Sequence, residues 1–238
     1  MPRLDVVLTK NGLIESRQRA QALILAGKVR VSGETERRPD RSVRDDDVIT
    51  VDESPGYASR GALKLGPALD RFQVDPAGRV CADIGASTGG FTDVLLRRGA
   101  VKVFAIDVGR GLIHWRLRQD PRVVVIERVN ARDLDSFPEP VSLIVADLSF
   151  ISLEKVLPAV RRAAAAGEVV ALFKPQFEVG KADVGKGGIV RDQVVIEAAL
   201  QRFRTWCEGN GYEVAGQAAS ELAGAEGNQE FFFHLAPK

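Results

Sequence analysis

The chain has 238 residues, enough for one ordinary domain and a small appendage, and its 45% hydrophobic content supports a packed core. Thirty-three basic and 32 acidic residues nearly cancel, which excludes a whole-chain electrostatic signature. Two cysteines and two histidines exclude a disulfide framework and any zinc site of recognised spacing, so no metal is expected.

The start of the chain lacks the apolar stretch of a signal peptide, and no run approaches the roughly eighteen apolar residues of a membrane span. A soluble, cytoplasmic protein with no membrane partner is expected. Charge is unevenly spread: residues 1–44 hold ten Lys or Arg against five acids. That segment is +5 and the remainder about −4. A basic unit on a mildly acidic body fits a polyanion-binding arm, and a solvated charged surface is the plainer alternative.

Taken in chain order, Leu4, Val7 and Leu8 recur at helical spacing until Asn11 and Gly12 stop the helix. Ser16 is placed to cap a second helix that carries Ala20, Leu23 and Ile24 inward, holds Arg17, Gln18 and Gln21 outward, and ends at Gly27. Short strands at 28–32 and 48–51 follow, with a turn-rich basic stretch between them. The polar, Pro-Gly-containing segment after residue 51 reads as a linker. The expected division is 1–52 for an α+β unit, 53–58 for the linker and 59–238 for the main domain.

From Ser59 onward helices alternate with buried apolar strands at about 79–84, 101–107, 122–127, 141–147 and 168–173. Such alternation predicts an α/β domain with a doubly wound, mostly parallel sheet. Two late strands, 211–216 and 230–235, have only a short loop between them, so they pair antiparallel and depart from a nicotinamide-type dinucleotide fold.

The segment DIGASTGGF at 83–91 follows the first strand of that sheet and opens a helix. Glycines 85, 89 and 90 allow backbone to approach a ligand, and helix N-terminal amides point into the same crevice. Asp107 ends the next strand, where a carboxylate can accept ribose hydroxyls. Alone the glycine loop is ordinary turn chemistry; with Asp83, Asp107 and the strand context it predicts a nucleoside site. Both NAD and S-adenosylmethionine satisfy that geometry, and the absence of a Gly-x-Gly-x-x-Gly spacing together with the terminal strand pair favours the methyl donor. Expected contacts to it are Asp83, Gly85, Ser87, Thr88, Gly89, Gly90, Phe91, Asp107, Asn130 and Asp147. A second glycine-rich segment, 180–187, satisfies most of a phosphate-loop pattern but has Gly187 where Ser or Thr would ligate magnesium, and reads as a mobile substrate loop.

Lys64, Asp147, Lys174 and Glu230 fall at suggestive places, the first in the opening helix and the others near strand ends. Each alone has a plain reading as a solvated charge. Taken with their surroundings, YASRGALKL at 57–65, DIGASTGGF at 83–91, ADLSFISL at 146–153, FKPQFE at 173–178 and GNQEFF at 227–232 resemble the TlyA family. That family belongs to the FtsJ-like (RrmJ-like) ribose methyltransferases, and the resemblance extends over essentially the whole chain. Arg3-Leu4-Asp5, Gly12-Leu13, Ser16-Arg17 and GKVRVSG at 27–33 resemble the S4-like RNA-binding domain, with Ser32 where Asn is commoner.

The resemblance implies a class I methyltransferase-type fold, S-adenosylmethionine as donor, and a Lys-Asp-Lys-Glu tetrad of Lys64, Asp147, Lys174 and Glu230. It also implies ribosomal RNA and ribosomal subunits as partners, with 2′-O-methylation of a cytidine in the large subunit, the small subunit being a further candidate. A ribose hydroxyl is a poor nucleophile while a sulfonium methyl is a strong electrophile, so the enzyme has mainly to align the two and remove a proton. The reading here makes Lys174 the base, with a partly desolvated crevice and the second amine, Lys64, favouring its neutral form and the two carboxylates orienting both amines. A purely positioning Lys174 is the competing view.

RNA contact is expected from Arg3, Arg17, Arg19, Lys28 and Arg30, with Arg60 and the loop 181–191 as weaker candidates. Two rival classes remain. One is a membrane-active, haemolysin-like protein, for which no apolar span or basic amphipathic helix speaks; the other is an RNA-binding protein whose methyltransferase domain is inactive, against which all four tetrad positions stand filled.

Overall fold

A computed structural model describes residues 2–14, 16–44, 46–51, 56–224 and 226–238. Contacts divide the chain into two compact units, Met1–Gly56 and Tyr57–Lys238. Residues 53–55 of the expected linker lie outside the described residues, and Gly56 belongs to the first unit. Tyr57 and Ala58 belong to the second. The Ala58 N–H donates to Asp93 Oδ2 at 2.9 Å, and the Arg97 guanidinium lies 4.5 Å from the Tyr57 ring centroid.

In the first unit α1 (Leu4–Lys10) buries Leu4 and Leu8, and α2 (Arg17–Leu25) buries Ala20, Leu23 and Ile24. Ser16 Oγ caps α2 by accepting the Arg19 N–H. Strand β1 (Val29–Val31) lies between β2 (Glu34–Glu36) and β3 (Ile49–Val51) in an antiparallel sheet, and its Val29 and Val31 close the core under both helices. Strand β2 falls within the stretch read from sequence as turn-rich and basic, where no strand was expected. Its residues, Glu-Thr-Glu, carry no apolar alternation, so nothing in its pattern marks a strand. What creates it is the two-residue reversal at Ser32 and Gly33, with φ of 52° and 89°. A left-handed Ser32 also accounts for the commoner Asn at that position, because Asn tolerates this conformation better.

Asp5 ties the two helices together. Fully buried, it accepts hydrogen bonds from Arg3 Nε, Arg17 Nε and Gln21 Nε2 at 3.0, 2.9 and 2.7 Å. These donors, Arg3 foremost, hold its carboxyl well below the usual carboxylate range. Gln21, expected on the outward side, is therefore turned toward Asp5.

The second unit runs α3 (Ala62–Phe72), β4 (Val80–Ile84), α4 (Gly90–Arg97), β5 (Lys102–Asp107), α5 (Trp115–Arg118), β6 (Val123–Glu127), β7 (Leu143–Ala146), α6 (Leu157–Ala163), β8 (Glu168–Phe173), α7 (Pro175–Glu178), α8 (Gln193–Gly209), β9 (Tyr212–Ala219) and β10 (Phe231–Pro237). Its seven-stranded sheet has the order β6-β5-β4-β7-β8-β10-β9, with β4 to β8 parallel and β10 antiparallel to both neighbours. Central strands are apolar on both faces because each face has a core of its own. Ala82, Ile84, Phe104 and Ile144 serve one; Cys81, Val103, Leu143 and Val145 serve the other.

At the start of β8, Glu168 pairs with Arg79 and with His234 Nε2, the latter at 2.6 Å. Its carboxyl is brought from 4.5 to about 2, first by the His234 hydrogen bond and then by Arg79. Glu168→Gln is expected to lower stability by about 1–2 kcal/mol at neutral pH. A depressed carboxylate stabilises the fold above its unfolded value of 4.5 and loses that contribution as pH falls toward 2. Urea titrations of both proteins at pH 7 and pH 3 should therefore show a smaller difference at the lower pH.

Candidate active site

Strand order reverses between β4 and β7, and the carboxyl ends of these neighbours open a crevice there. The Asp147 N–H donates to Ile84 O at 3.0 Å, and Gly85 follows with φ of 82°. A Cβ on Gly85 would run into the Asp147 carbonyl oxygen, so this position requires glycine for space and for conformation. At Gly90 a Cβ would strike Ser59 Oγ, and at Gly89 the side chain of Leu117.

Two adjoining cavities result. The first, about 320 Å³, is bordered by Arg60, Lys64, Asp83, Gly85, Ser87, Thr88, Gly90, Phe91 and Asp147. The second, about 290 Å³, is bordered by Asp107, Leu112, Asn130 and Phe150 and shares Gly85, Ser87 and Asp147 with the first. Gly89, expected to touch a ligand, does not border either cavity; it lets α4 begin against Leu117.

Two carboxylates stand beside the glycine turn in this crevice. Asp83 is fully buried; its Oδ2 accepts the Thr92 N–H and hydroxyl at 2.8 and 2.7 Å, while Oδ1 has no partner. Burial pushes its carboxyl up to about 7, against the pull of the Thr92 hydrogen bonds. Asp107, expected to be open to ribose hydroxyls, already uses both oxygens: Oδ2 accepts the Ser87 N–H and Oδ1 the Gly109 N–H, at 2.8 and 2.7 Å. Each oxygen keeps a further lone pair. Asn130 borders the same cavity and caps a short turn through Oδ1 and the Arg132 N–H.

Lys64, Asp147, Lys174 and Glu230 form two ion pairs. Lys64 Nζ lies 2.6 Å from Glu230 Oε2, and Lys174 Nζ lies 2.6 Å from Asp147 Oδ1. Lys64 and Asp147 border the same cavity, which brings both pairs to one place. Strand direction explains how Glu230 arrives. Since β10 runs opposite to β8, the residue just ahead of it reaches the edge where the parallel strands end.

Several contributors escaped the sequence reading. Lys174 Nζ also donates to Ser149 Oγ at 3.1 Å, and Ser59, Leu222 and Ala223 border the cavity. Ser149 lay inside a segment singled out for resemblance; Leu222 and Ala223 sit in a loop whose composition carries no signal. The loop 180–191 is tied at its base: buried Asn228 accepts the Val190 N–H and donates to Gly188 O, at 2.9 and 2.8 Å.

Of the residues expected to meet RNA, Arg60 borders the first cavity. Arg3, Arg17, Arg19, Lys28 and Arg30 lie in the first unit, where Arg3 and Arg17 engage Asp5 while their side chains remain 46% and 55% exposed. Among the described residues no group of His, Cys, Asp and Glu is placed to hold a metal ion, and no helix is long and apolar enough to cross a membrane.

The FtsJ-like methyltransferase family matches residues 57–236 and the S4 domain residues 2–49. The 16S/23S rRNA (cytidine-2′-O)-methyltransferase TlyA of Mycobacterium tuberculosis is 49% identical over 238 residues, covering 98% of this chain and 89% of that protein. A solved structure described as a hemolysin from Streptococcus thermophilus is 40% identical, with a TM-score of 0.75 over 99% of this chain and 88% of that one. An S-adenosylmethionine dependent methyltransferase from Listeria monocytogenes shares the fold of the second unit at 14% identity, with a TM-score of 0.57 over 75% of this chain and 100% of the other.

Gly85→Ala should lower stability by about 2–3 kcal/mol, from left-handed strain together with the collision at Asp147. Urea unfolding followed by circular dichroism checks this, and an unchanged midpoint would contradict the close approach.

Proposed function

Because the chain belongs to the TlyA family of FtsJ-like methyltransferases, we propose that it transfers a methyl group from S-adenosylmethionine to the 2′-hydroxyl of a cytidine in ribosomal RNA. The observation that carries this reading is the convergence of two lysine–carboxylate pairs on a cavity beside the glycine turn. Large-subunit RNA is the proposed substrate, with the small subunit as a second, in keeping with the relative named for both. Work on ribosomes would place the protein in the cytoplasm.

The site fits the donor on its own chemistry. The unpartnered Asp83 Oδ1 offers an acceptor to an ammonium group, and Asp107 with Asn130 borders the cavity suited to a nucleoside. Gly85, Ser87, Thr88, Gly90 and Phe91 would form the wall against which it lies, with Gly89 supporting them from behind. When bound, S-adenosylmethionine supplies a methyl group on an electrophilic sulfonium.

The chain's own part is alignment and proton removal. Lys174 takes the 2′-hydroxyl proton at Nζ while the ribose oxygen gains the methyl carbon and the sulfonium gives it up. Asp147, 2.6 Å away, stabilises the ammonium so formed. Glu230 holds Lys64 in the crevice, where the Lys64 amine steadies the oxygen as charge develops on it.

Arg3, Arg17, Arg19, Lys28 and Arg30 are proposed to meet RNA phosphates, with Asp5 fixing the first two, and Arg60 to meet the strand near the cavity. Phosphate contacts release counterions, so binding weakens steeply with salt. Removing residues 1–52 should lower affinity for ribosomal subunits and flatten the dependence of log K on log salt, measured by filter binding at several ionic strengths. Equal slopes with and without the segment would contradict the assignment.

Lys174→Ala should lower methyl transfer by at least about 10²-fold while donor affinity changes by less than about threefold. Transfer of labelled methyl to rRNA and calorimetry with the donor read the two quantities separately. The overall reading is tested by mass mapping of ribose methylation on rRNA from cells with and without the protein. No difference at any cytidine would sink it.

A further inference from the structure

The segment carrying Asp147 and the segment carrying Lys174 lie side by side and are joined by three successive contacts. At one end Lys174 Nζ meets Asp147 Oδ1 and Ser149 Oγ, at 2.6 and 3.1 Å. In the middle the rings of Phe150 and Phe177 are 5.2 Å apart between centroids. At the far end Glu178 Oε1 accepts the Leu153 N–H at 2.8 Å.

Two features give the far contact its weight. Phe150 adopts φ of 64°, a conformation that costs a bulky residue energy and persists only where its surroundings over-determine it. Helix α7, only four residues long, needs external support as well; Arg202 supplies some of it by donating to Glu178 O at 2.6 Å. Neither ring contact nor lysine pair fixes the register of 147–153 along α7 as a hydrogen bond to a backbone amide does. Moreover, Glu178 is buried enough for its carboxyl to be pushed up to about 7, a cost with no catalytic contact to set against it.

We infer that Glu178 is a positioning residue for the transfer reaction: by anchoring Leu153 to α7 it holds the 147–153 segment in the register that keeps Asp147 against Lys174. The inference rests on the reading of this crevice as the methyl-transfer site. A shift of about an ångström between reacting groups costs up to roughly a hundredfold in rate, so a residue two contacts away from Lys174 acts on kcat.

The test compares Glu178→Ala and Glu178→Gln in the full chain by amide hydrogen exchange, donor calorimetry and labelled methyl transfer to rRNA. In Glu178→Ala, exchange at residues 148–153 should rise at least about tenfold over the other protected amides. Its kcat should fall about 10- to 100-fold while KM for RNA and donor affinity stay within about threefold. Glu178→Gln keeps an acceptor for the Leu153 N–H and should lie between the two on both readings. The inference is overturned by a kcat within twofold in Glu178→Ala, by an exchange increase spread evenly over the unit, or by Gln behaving no better than Ala. Should Glu178→Ala fail to fold, Glu178→Gln decides: a localised rise in exchange with reduced kcat supports the brace, and wild-type behaviour in either refutes it. Wild-type protein that transfers no methyl group would defeat the proposed function, and the exchange data would still judge the brace.

Discussion

Everything chemical in this molecule depends on the backbone of Gly85 lying against the carbonyl of Asp147. These residues follow adjacent strands, β4 and β7, that are distant in sequence because the chain first winds outward through β5 and β6. The reversal leaves no helix crossing between the two strand ends, so a crevice remains. Within it the glycine turn and the Asp147 segment share a wall, which puts a pocket of nucleoside dimensions beside charged groups of the second half of the sheet. A side chain at position 85 would force them apart.

Charge in the crevice is balanced locally. Two amines and two carboxylates, mostly withdrawn from solvent, are matched one to one, which limits the desolvation cost that unpaired charges would incur. Asp83 and Asp107 are left over as acidic groups next to the glycine turn. A cationic methyl donor would therefore meet acidic groups beside the glycine turn, with Arg60 bordering the same cavity.

Much of this was legible in the residues themselves. Alternating helices and doubly apolar strands give the parallel sheet, because a strand covered on both faces has no room for polar side chains. The antiparallel last pair was readable at 211–216 and 230–235, although β9 runs on to Ala219, carried by the ladder with β10. The tetrad was visible only through resemblance, since a lysine in a helix and a glutamate before a strand look like solvated charges. Strand β2 was invisible because backbone hydrogen bonds leave no mark on a Glu-Thr-Glu sequence. Nor could spacing reveal that Asp107 braces Ser87 and Gly109, or that Gln21 turns to Asp5: such contacts depend on which way a side chain points after the fold has closed.

The reversed direction of β10 has a bearing on how the protein is made. Lys64 and its counter-ion Glu230 are 166 positions apart, so a ribosome adding about 5–20 residues each second completes the pair roughly 10–30 s after the lysine emerges. During that interval the glycine turn and the first strands can already be folded, yet Lys64 lacks the carboxylate that steadies it. The four charged groups of the crevice are therefore complete only when nearly the whole chain has been made.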